Sequence, residues 1–130
     1  MKATAFPTLE EALYLHRILI ERFGGKSGVL DVGLLESALA RPRSGYYKSL
    51  SLQAAALMHS LAKNHAFVDG NKRMALALTA TFLLMNKLNL TSSTDESEAF
   101  VLKLASANKD LSVESIAAWI EAHIERIEKV

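Results

Sequence analysis

The chain contains no cysteine, which excludes disulfides, zinc–thiolate sites and a thiol nucleophile. It has only two prolines and six glycines in 130 residues, which argues against a loop-rich protein or one built from many hairpins. It also lacks an excess of either charge, since 15 Lys/Arg and 14 Asp/Glu give a net charge of +1. Binding of nucleic acid through bulk charge is therefore not expected. The length predicts a single domain over residues 1–130.

Long apolar runs are missing as well. The most hydrophobic window, residues 74–85, is interrupted by Thr79 and Thr81 and is far shorter than the roughly 20 residues that cross a bilayer. The first residues contain no apolar stretch of signal-peptide length. A cytoplasmic protein without a membrane partner is the expectation. Half of the residues are hydrophobic, which excludes a disordered chain.

Apolar residues recur at three- and four-residue steps along most of the chain, which predicts an all-α fold of about six helices around one core. Polar residues that cap helices precede several of these segments, and Gly24-Gly25 ends the first one. The predicted helices are 9–23 after Thr8, 32–41 after Asp31, 52–64, 71 or 72 to 87, one capped by Ser93 or Thr94, and 113–130 after Ser112. Ile116, Ile120, Ile124 and Ile127 form one apolar stripe on the last helix.

Three features have ordinary structural explanations. Gly25-Lys26-Ser27 resembles the end of a phosphate-binding loop, but Ile20 stands where that pattern needs a glycine, so a helix end and turn are predicted. His16 and His59 lie among apolar residues and are expected to be partly buried with their polar atoms satisfied, and His123 is expected on a surface or helix face. The segment 42–51, with Tyr46-Tyr47, favours a short extended or hairpin structure.

The segment His65-Ala66-Phe67-Val68-Asp69-Gly70-Asn71-Lys72-Arg73 concentrates polar groups between two apolar helices. The start of a helix attracts anions, Gly70 allows close backbone approach, and Lys72 and Arg73 add donors for phosphate oxygens. Asp69 can hold a magnesium ion, and His65 can accept a proton near neutral pH. Phe67 is expected to anchor the loop in the core. The nine residues together predict a nucleotide-phosphate site with a metal ligand and a general base.

This segment resembles the signature of the Fic/Doc family, His-x-Phe-x-(Asp/Glu)-(Gly/Ala)-Asn-(Gly/Lys)-Arg, and matches it at every fixed position. Lys72, together with upstream stretches at 15–25 and 28–42, is similar to the Doc ("death on curing") toxin subgroup. The resemblance implies a compact Fic-domain helical bundle and transfer of part of ATP to a protein hydroxyl. It also implies that segment 42–51 is a flap on which a substrate strand lies.

The resemblance further implies site roles. His65 is the general base, Asp69 holds Mg²⁺, and Gly70, Asn71, Lys72 and Arg73 bind the phosphates of ATP. Most Fic proteins have glycine at the Lys72 position and transfer AMP, and they often have arginine at the Leu76 position. The Doc form implies a kinase that acts on a threonine of translation elongation factor Tu, arrests translation, and is held in check by a Phd-like antitoxin.

Two alternatives stay open from the sequence, an AMP transferase and an inactive Fic-like binding module. A known internal inhibitory pattern, (Ser/Thr)-x-x-x-Glu-(Gly/Asn), is not met at 92–97, where Ser97 follows Glu96. Control by an antitoxin in trans is therefore expected.

Overall fold

Local capping explains where the helices begin in the computed structural model, which describes residues 3–106 and 110–127. Side chains cap five of the six α-helices in this part of the chain, and Thr8 and Ser93 form complete capping boxes with Glu11 and Glu96. The helices are α1 (Leu9–Phe23), α2 (Val32–Ala40), α3 (Leu50–Asn64), α4 (Asn71–Met85), α5 (Thr94–Ala105) and α6 (Val113–Glu121). The prediction of a mostly helical, Fic-like bundle is confirmed.

The core is centred on the α3–α4 hairpin. Helix α3 packs against both α4 and α6, and its residues 54–58 are completely buried. On α4, Met74, Leu78 and Phe82 are buried on the same side. Both apolar helices that flank the nine-residue motif are therefore buried in the core, and they support the loop that joins them from both ends.

The prediction of a hairpin in segment 42–51 is wrong. Arg41–Arg43 form a short 3-10 helix with Pro42 buried, and residues 44–49 contain no strand. Ser49 then caps α3, which begins at Leu50. Arg41 explains the difference, because its guanidinium donates to the Tyr47 hydroxyl at 2.9 Å and to Ser60 Oγ at 3.0 Å, which folds the segment back onto α3.

The predicted isoleucine stripe of the last helix is also wrong, because α6 ends at Glu121. The backbone N–H of His123 donates to the Ile120 carbonyl at 2.9 Å and its Nδ1 donates to the Trp119 carbonyl at 2.7 Å, which closes the helix. The chain then forms β2 (Ile124–Arg126), paired antiparallel with β1 (Leu88–Leu90), so Ile124 packs against the core from a strand. The last three positions of the predicted helix, 128–130, lie outside the described residues.

The lengths of the helices show whether any of them could span a membrane. Across residues 3–106 and 110–127 no helix combines the length and the apolarity needed to cross a bilayer.

Candidate active site

The loop between α3 and α4 holds the nine-residue motif, and its first residue adopts an unusual conformation. His65 ends α3 with φ 53° and ψ 50°, the left-handed region that glycine usually occupies at a helix end. Its side chain is exposed and makes no hydrogen bond or ion pair within the described residues. The imidazole is therefore free to meet a substrate group.

Phe67 anchors the loop as expected. It is only 1% exposed, and its ring stacks on the buried His16 ring with 4.0 Å between centroids. His16 Nε2 donates to the backbone carbonyl of Asp69 at 2.8 Å. The prediction of a buried, satisfied His16 is confirmed, and the structure adds that its partner is the motif itself.

Asn71 closes the loop on itself. Its Oδ1 accepts a hydrogen bond from the Phe67 N–H at 3.0 Å, and its Nδ2 donates to the Phe67 carbonyl at 2.9 Å. Both ends of the amide are thus engaged with one residue of the loop. This side chain fixes the loop geometry at the start of α4.

The Asp69 carboxylate is exposed and held by two backbone groups. Gly70 N–H donates to Oδ1 at 2.9 Å, and Lys26 N–H donates to Oδ2 at 3.1 Å. The hydrogen bond from Lys26, then that from Gly70, and the nearby charges of Arg73 and Lys26 hold the pKa of Asp69 below its usual value. Asp69 is therefore ionised at neutral pH.

Helix α4 begins without a side-chain cap, which sets it apart from the other five α-helices in the described part of the chain. Its N-cap is Gly70, whose left-handed backbone (φ 78°, ψ 20°) differs from the extended conformation of a capping Ser, Thr or Asp. The first N–H groups of α4 are consequently left for another acceptor, and an anion is the acceptor that this end of a helix favours.

A cleft of about 420 Å³ opens between this helix start and α5. Lys72 and Arg73 are exposed at its edge, and the Arg73 guanidinium lies 4.6 Å from the centre of the Phe23 ring. Leu76 lines the same cleft, as does Glu98 from α5. The structure thus brings the predicted metal ligand Asp69 and the predicted phosphate-binding residues 70–73 to one wall of the cleft, while Asn71 presents its amide to the loop.

The donor set fits a magnesium ion that arrives with a nucleotide. No group of three His, Cys, Asp or Glu side chains converges within residues 3–106 and 110–127, so these residues form no all-protein metal cage. Each Asp69 oxygen uses one lone pair on a backbone N–H and keeps another for a cation. One carboxylate with phosphate oxygens and water is a common Mg²⁺ environment.

The turn after α1 contributes to the site in a way that the sequence did not reveal. Gly25-Lys26-Ser27 is a helix end and turn, as predicted, but its Lys26 N–H holds Asp69, 43 positions away. A contact between two loops so distant in sequence leaves no periodicity or spacing to detect it.

The other histidines lie elsewhere. His59 Nδ1 accepts a hydrogen bond from Arg41 at 3.1 Å, which confirms the expectation of a satisfied, partly buried ring. His123 is half-buried just beyond α6 and stacks on Trp119 at 4.4 Å, so it does not lie on an exposed helix face. Neither lines the cleft beside Asp69.

Comparison with known proteins identifies the class to which this fold and site belong. Residues 6–83 match the model of the Fic/DOC family, so the chain belongs to that family. It is 46% identical over 101 residues to the protein "Toxin Doc" of Mycolicibacterium smegmatis, covering 74% of this chain and 78% of the relative. It is 32% identical over 112 residues to "Protein kinase doc" of Escherichia phage P1, covering 83% and 86%. The predicted resemblance to Doc toxins is confirmed.

Proposed function

We propose that this protein is a Doc-type toxin that transfers the γ-phosphoryl group of Mg·ATP to a protein hydroxyl. The observation that carries the proposal is the uncapped start of α4 with the ionised Asp69 carboxylate beside it in the lining of the cleft. The names of the two relatives, a toxin and a protein kinase, support the same assignment.

The phosphates would bind at the first turn of α4. Its free N–H groups, the Lys72 ammonium and the Arg73 guanidinium supply donors and positive charge to phosphate oxygens. Asp69 would hold Mg²⁺, which when bound neutralises phosphate charge and orients the oxygens. Phosphoryl transfer depends mostly on such positioning and charge stabilisation.

His65 would remove the proton from the attacking hydroxyl. Its ring is exposed in the loop that leads into α4 and has no hydrogen bond or ion pair in the described residues, and it is not among the residues that line the cleft. An imidazole held at hydrogen-bond distance from the hydroxyl can act as this general base. The leaving group is ADP, and the proton released from the hydroxyl resides on His65 until solvent removes it.

Lys72 and Leu76 favour phosphoryl over AMP transfer. Lys72 adds a long cationic side chain where many Fic proteins have glycine, and Leu76 supplies an apolar wall where those proteins have arginine. The family resemblance makes a threonine of translation elongation factor Tu the proposed acceptor. Arrest of translation would then explain toxicity.

A Phd-like antitoxin would control the toxin in trans. A second groove, of about 400 Å³, lies between α1, α4 and α5, with an apolar floor that includes Leu19, Leu76, Ala80 and Leu84. Arg73 and Glu98 border it as well as the cleft. A tail that folds into this groove would bury apolar area and give a negative heat-capacity change in titration calorimetry.

Expression in bacteria without an antitoxin tests the proposal. Wild type should arrest growth, whereas His65→Ala and Asp69→Asn should not, because each removes a group of the proposed chemistry without opening a cavity. Circular dichroism and thermal unfolding provide the control that both variants fold. A folded His65→Ala protein that arrests growth as strongly as wild type would contradict the assigned mechanism.

A further inference from the structure

The turn after α1 approaches the Asp69 carboxylate as closely as a backbone can. Gly25 has φ 113°, and a Cβ atom built on it would stand 2.7 Å from Asp69 Oδ2. Real Cβ atoms do not tolerate that distance. The next residue, Lys26, donates its N–H to the same oxygen at 3.1 Å. The absence of a side chain at residue 25 is therefore what lets this oxygen reach the Lys26 N–H.

Backbone pairing holds the turn against the motif loop. Leu30 N–H donates to the Ala66 carbonyl at 2.8 Å, and Val68 N–H donates to the Gly28 carbonyl at 3.1 Å. Val29 and Phe67 form an isolated antiparallel bridge between these two bonds. The contact to Asp69 is thus the end of a short ladder between two loops.

Two backbone donors fix the orientation of the carboxylate. Gly70 N–H holds Oδ1 at 2.9 Å and Lys26 N–H holds Oδ2, so rotation of the carboxylate plane would break at least one bond. His16 fixes the backbone carbonyl of the same residue at 2.8 Å. The remaining lone pairs of both carboxylate oxygens therefore have a fixed orientation before any ligand binds.

We propose that Gly25 and Lys26 are positioning residues. Gly25 leaves room for the Asp69 carboxylate, and the backbone N–H of Lys26 orients it toward the metal of the bound nucleotide. This inference rests on the proposed function, because it concerns the carboxylate that would hold Mg²⁺. Neither residue touches the reacting atoms. Partners that orient a metal ligand typically change metal affinity or activity by about 10- to 100-fold when they are lost.

The chain offers a matched control for the test. Gly24 also has a positive φ, 85°, but a Cβ there would meet nothing within 4 Å. Gly24→Ala and Gly25→Ala therefore both strain a glycine backbone, and only Gly25→Ala collides with Asp69. Calorimetry with Mg²⁺ and a non-hydrolysable ATP analogue should give about 10- to 100-fold weaker binding for Gly25→Ala than for Gly24→Ala. Equal affinities for the two variants would overturn the proposal.

Amide NMR spectra give a readout that does not depend on nucleotide. The Lys26 amide resonance should shift in Asp69→Asn, because that substitution changes the acceptor of the Lys26 N–H and no residue next to Lys26 in sequence. Because Asp69→Asn leaves both glycines in place, it tests the contact between the Lys26 N–H and Asp69 even if Gly25→Ala does not fold. A Lys26 resonance that does not move in Asp69→Asn would refute the contact between the Lys26 N–H and the Asp69 carboxylate. A wild type that binds no Mg·nucleotide would instead contradict the proposed function, while the spectra still decide whether the Lys26 N–H contacts the Asp69 carboxylate.

Discussion

At the scale of single residues, His65 occupies a backbone position that suits glycine better. A left-handed conformation costs a residue with a Cβ roughly 1–2 kcal/mol, although histidine adopts it more readily than most. His65 thus adopts a strained backbone conformation, with φ 53°, and its exposed ring has no partner in the described residues. Strain of this kind, kept at a polar loop, is typical of a functional position.

His65→Gly should separate stability from activity. Glycine relieves the left-handed strain but increases the freedom of the unfolded chain, so the free energy of unfolding should stay within about 1 kcal/mol of wild type. Phosphoryl transfer should fall about 10²- to 10⁴-fold, the usual contribution of a general base. Urea unfolding and a transfer assay check the two expectations. A large loss of stability would show that the ring has a structural role.

Lys72 is the residue on which the proposed phosphoryl transfer, as opposed to AMP transfer, depends. Lys72→Gly removes a cation and the bulk that would orient the nucleotide, so phosphoryl transfer should weaken by roughly tenfold or more, as for loss of a charge-assisted contact. Some AMP transfer should appear, limited because Leu76 stands where AMP-transferring relatives have arginine. Mass spectrometry of the target distinguishes the products. A variant that phosphorylates as fast as wild type would remove Lys72 from the mechanism.

At the scale of elements, the α3–loop–α4 unit depends on the Asn71 clamp. Asn71→Ala removes two hydrogen bonds to Phe67 and should lower the free energy of unfolding by about 1–3 kcal/mol. Asn71→Asp should not restore stability, because a carboxylate accepts from the Phe67 N–H but repels the Phe67 carbonyl. Thermal unfolding of both variants tests this. An Asn71→Asp variant as stable as wild type would contradict the clamp.

The junction between the 3-10 helix and α3 should be sensitive to acid. Burial, followed by the charge of Arg41, lowers the pKa of His59 below 6.5, and Arg41 can donate to Nδ1 only while the ring is neutral. Asp110, 3.9 Å from Nε2, opposes this shift, and Lys63 adds to it. Below pH 6.5 the unfolded chain therefore binds a proton that the folded chain resists, and stability falls as pH falls.

His59→Asn provides the comparison, because it keeps an acceptor toward Arg41 and cannot be protonated. The loss of unfolding free energy between about pH 7.5 and about pH 5.5 should be smaller in this variant than in wild type, measured by urea unfolding at both pH values. Equal losses would contradict the assignment to His59.

The sequence predicts best those helix starts that are fixed by residues a few positions away in the chain. Thr8, Asp31, Ser93 and Ser112 cap helices through bonds to residues three positions on, which the sequence displays directly. The fold of segment 42–51 and the β1–β2 pair depend on distant partners, and neither followed from local pattern. The same holds in the site, where the motif was evident but the Lys26–Asp69 contact was not.

At the scale of the whole molecule, the cleft and the groove between α1, α4 and α5, which we propose as the antitoxin site, share a border at Arg73, Leu76 and Glu98. Ala80→Arg should fill the groove and weaken antitoxin binding by about 2 kcal/mol or more, roughly 30-fold, while leaving transfer activity intact. Ala118→Arg, at an exposed position on α6, is the matched control. Calorimetry with the antitoxin checks both. If Ala80→Arg binds the antitoxin with unchanged affinity, the antitoxin does not bind in this groove.

The position of the label transferred from ATP distinguishes the proposed phosphoryl transfer from AMP transfer. The purified protein is incubated with elongation factor Tu, Mg²⁺ and ATP labelled in either the α- or the γ-phosphate, with His65→Ala as the control for contaminating kinases. We expect γ-label alone to enter the target, and only with wild type. Entry of α-label with wild type would contradict the kinase assignment and favour AMP transfer.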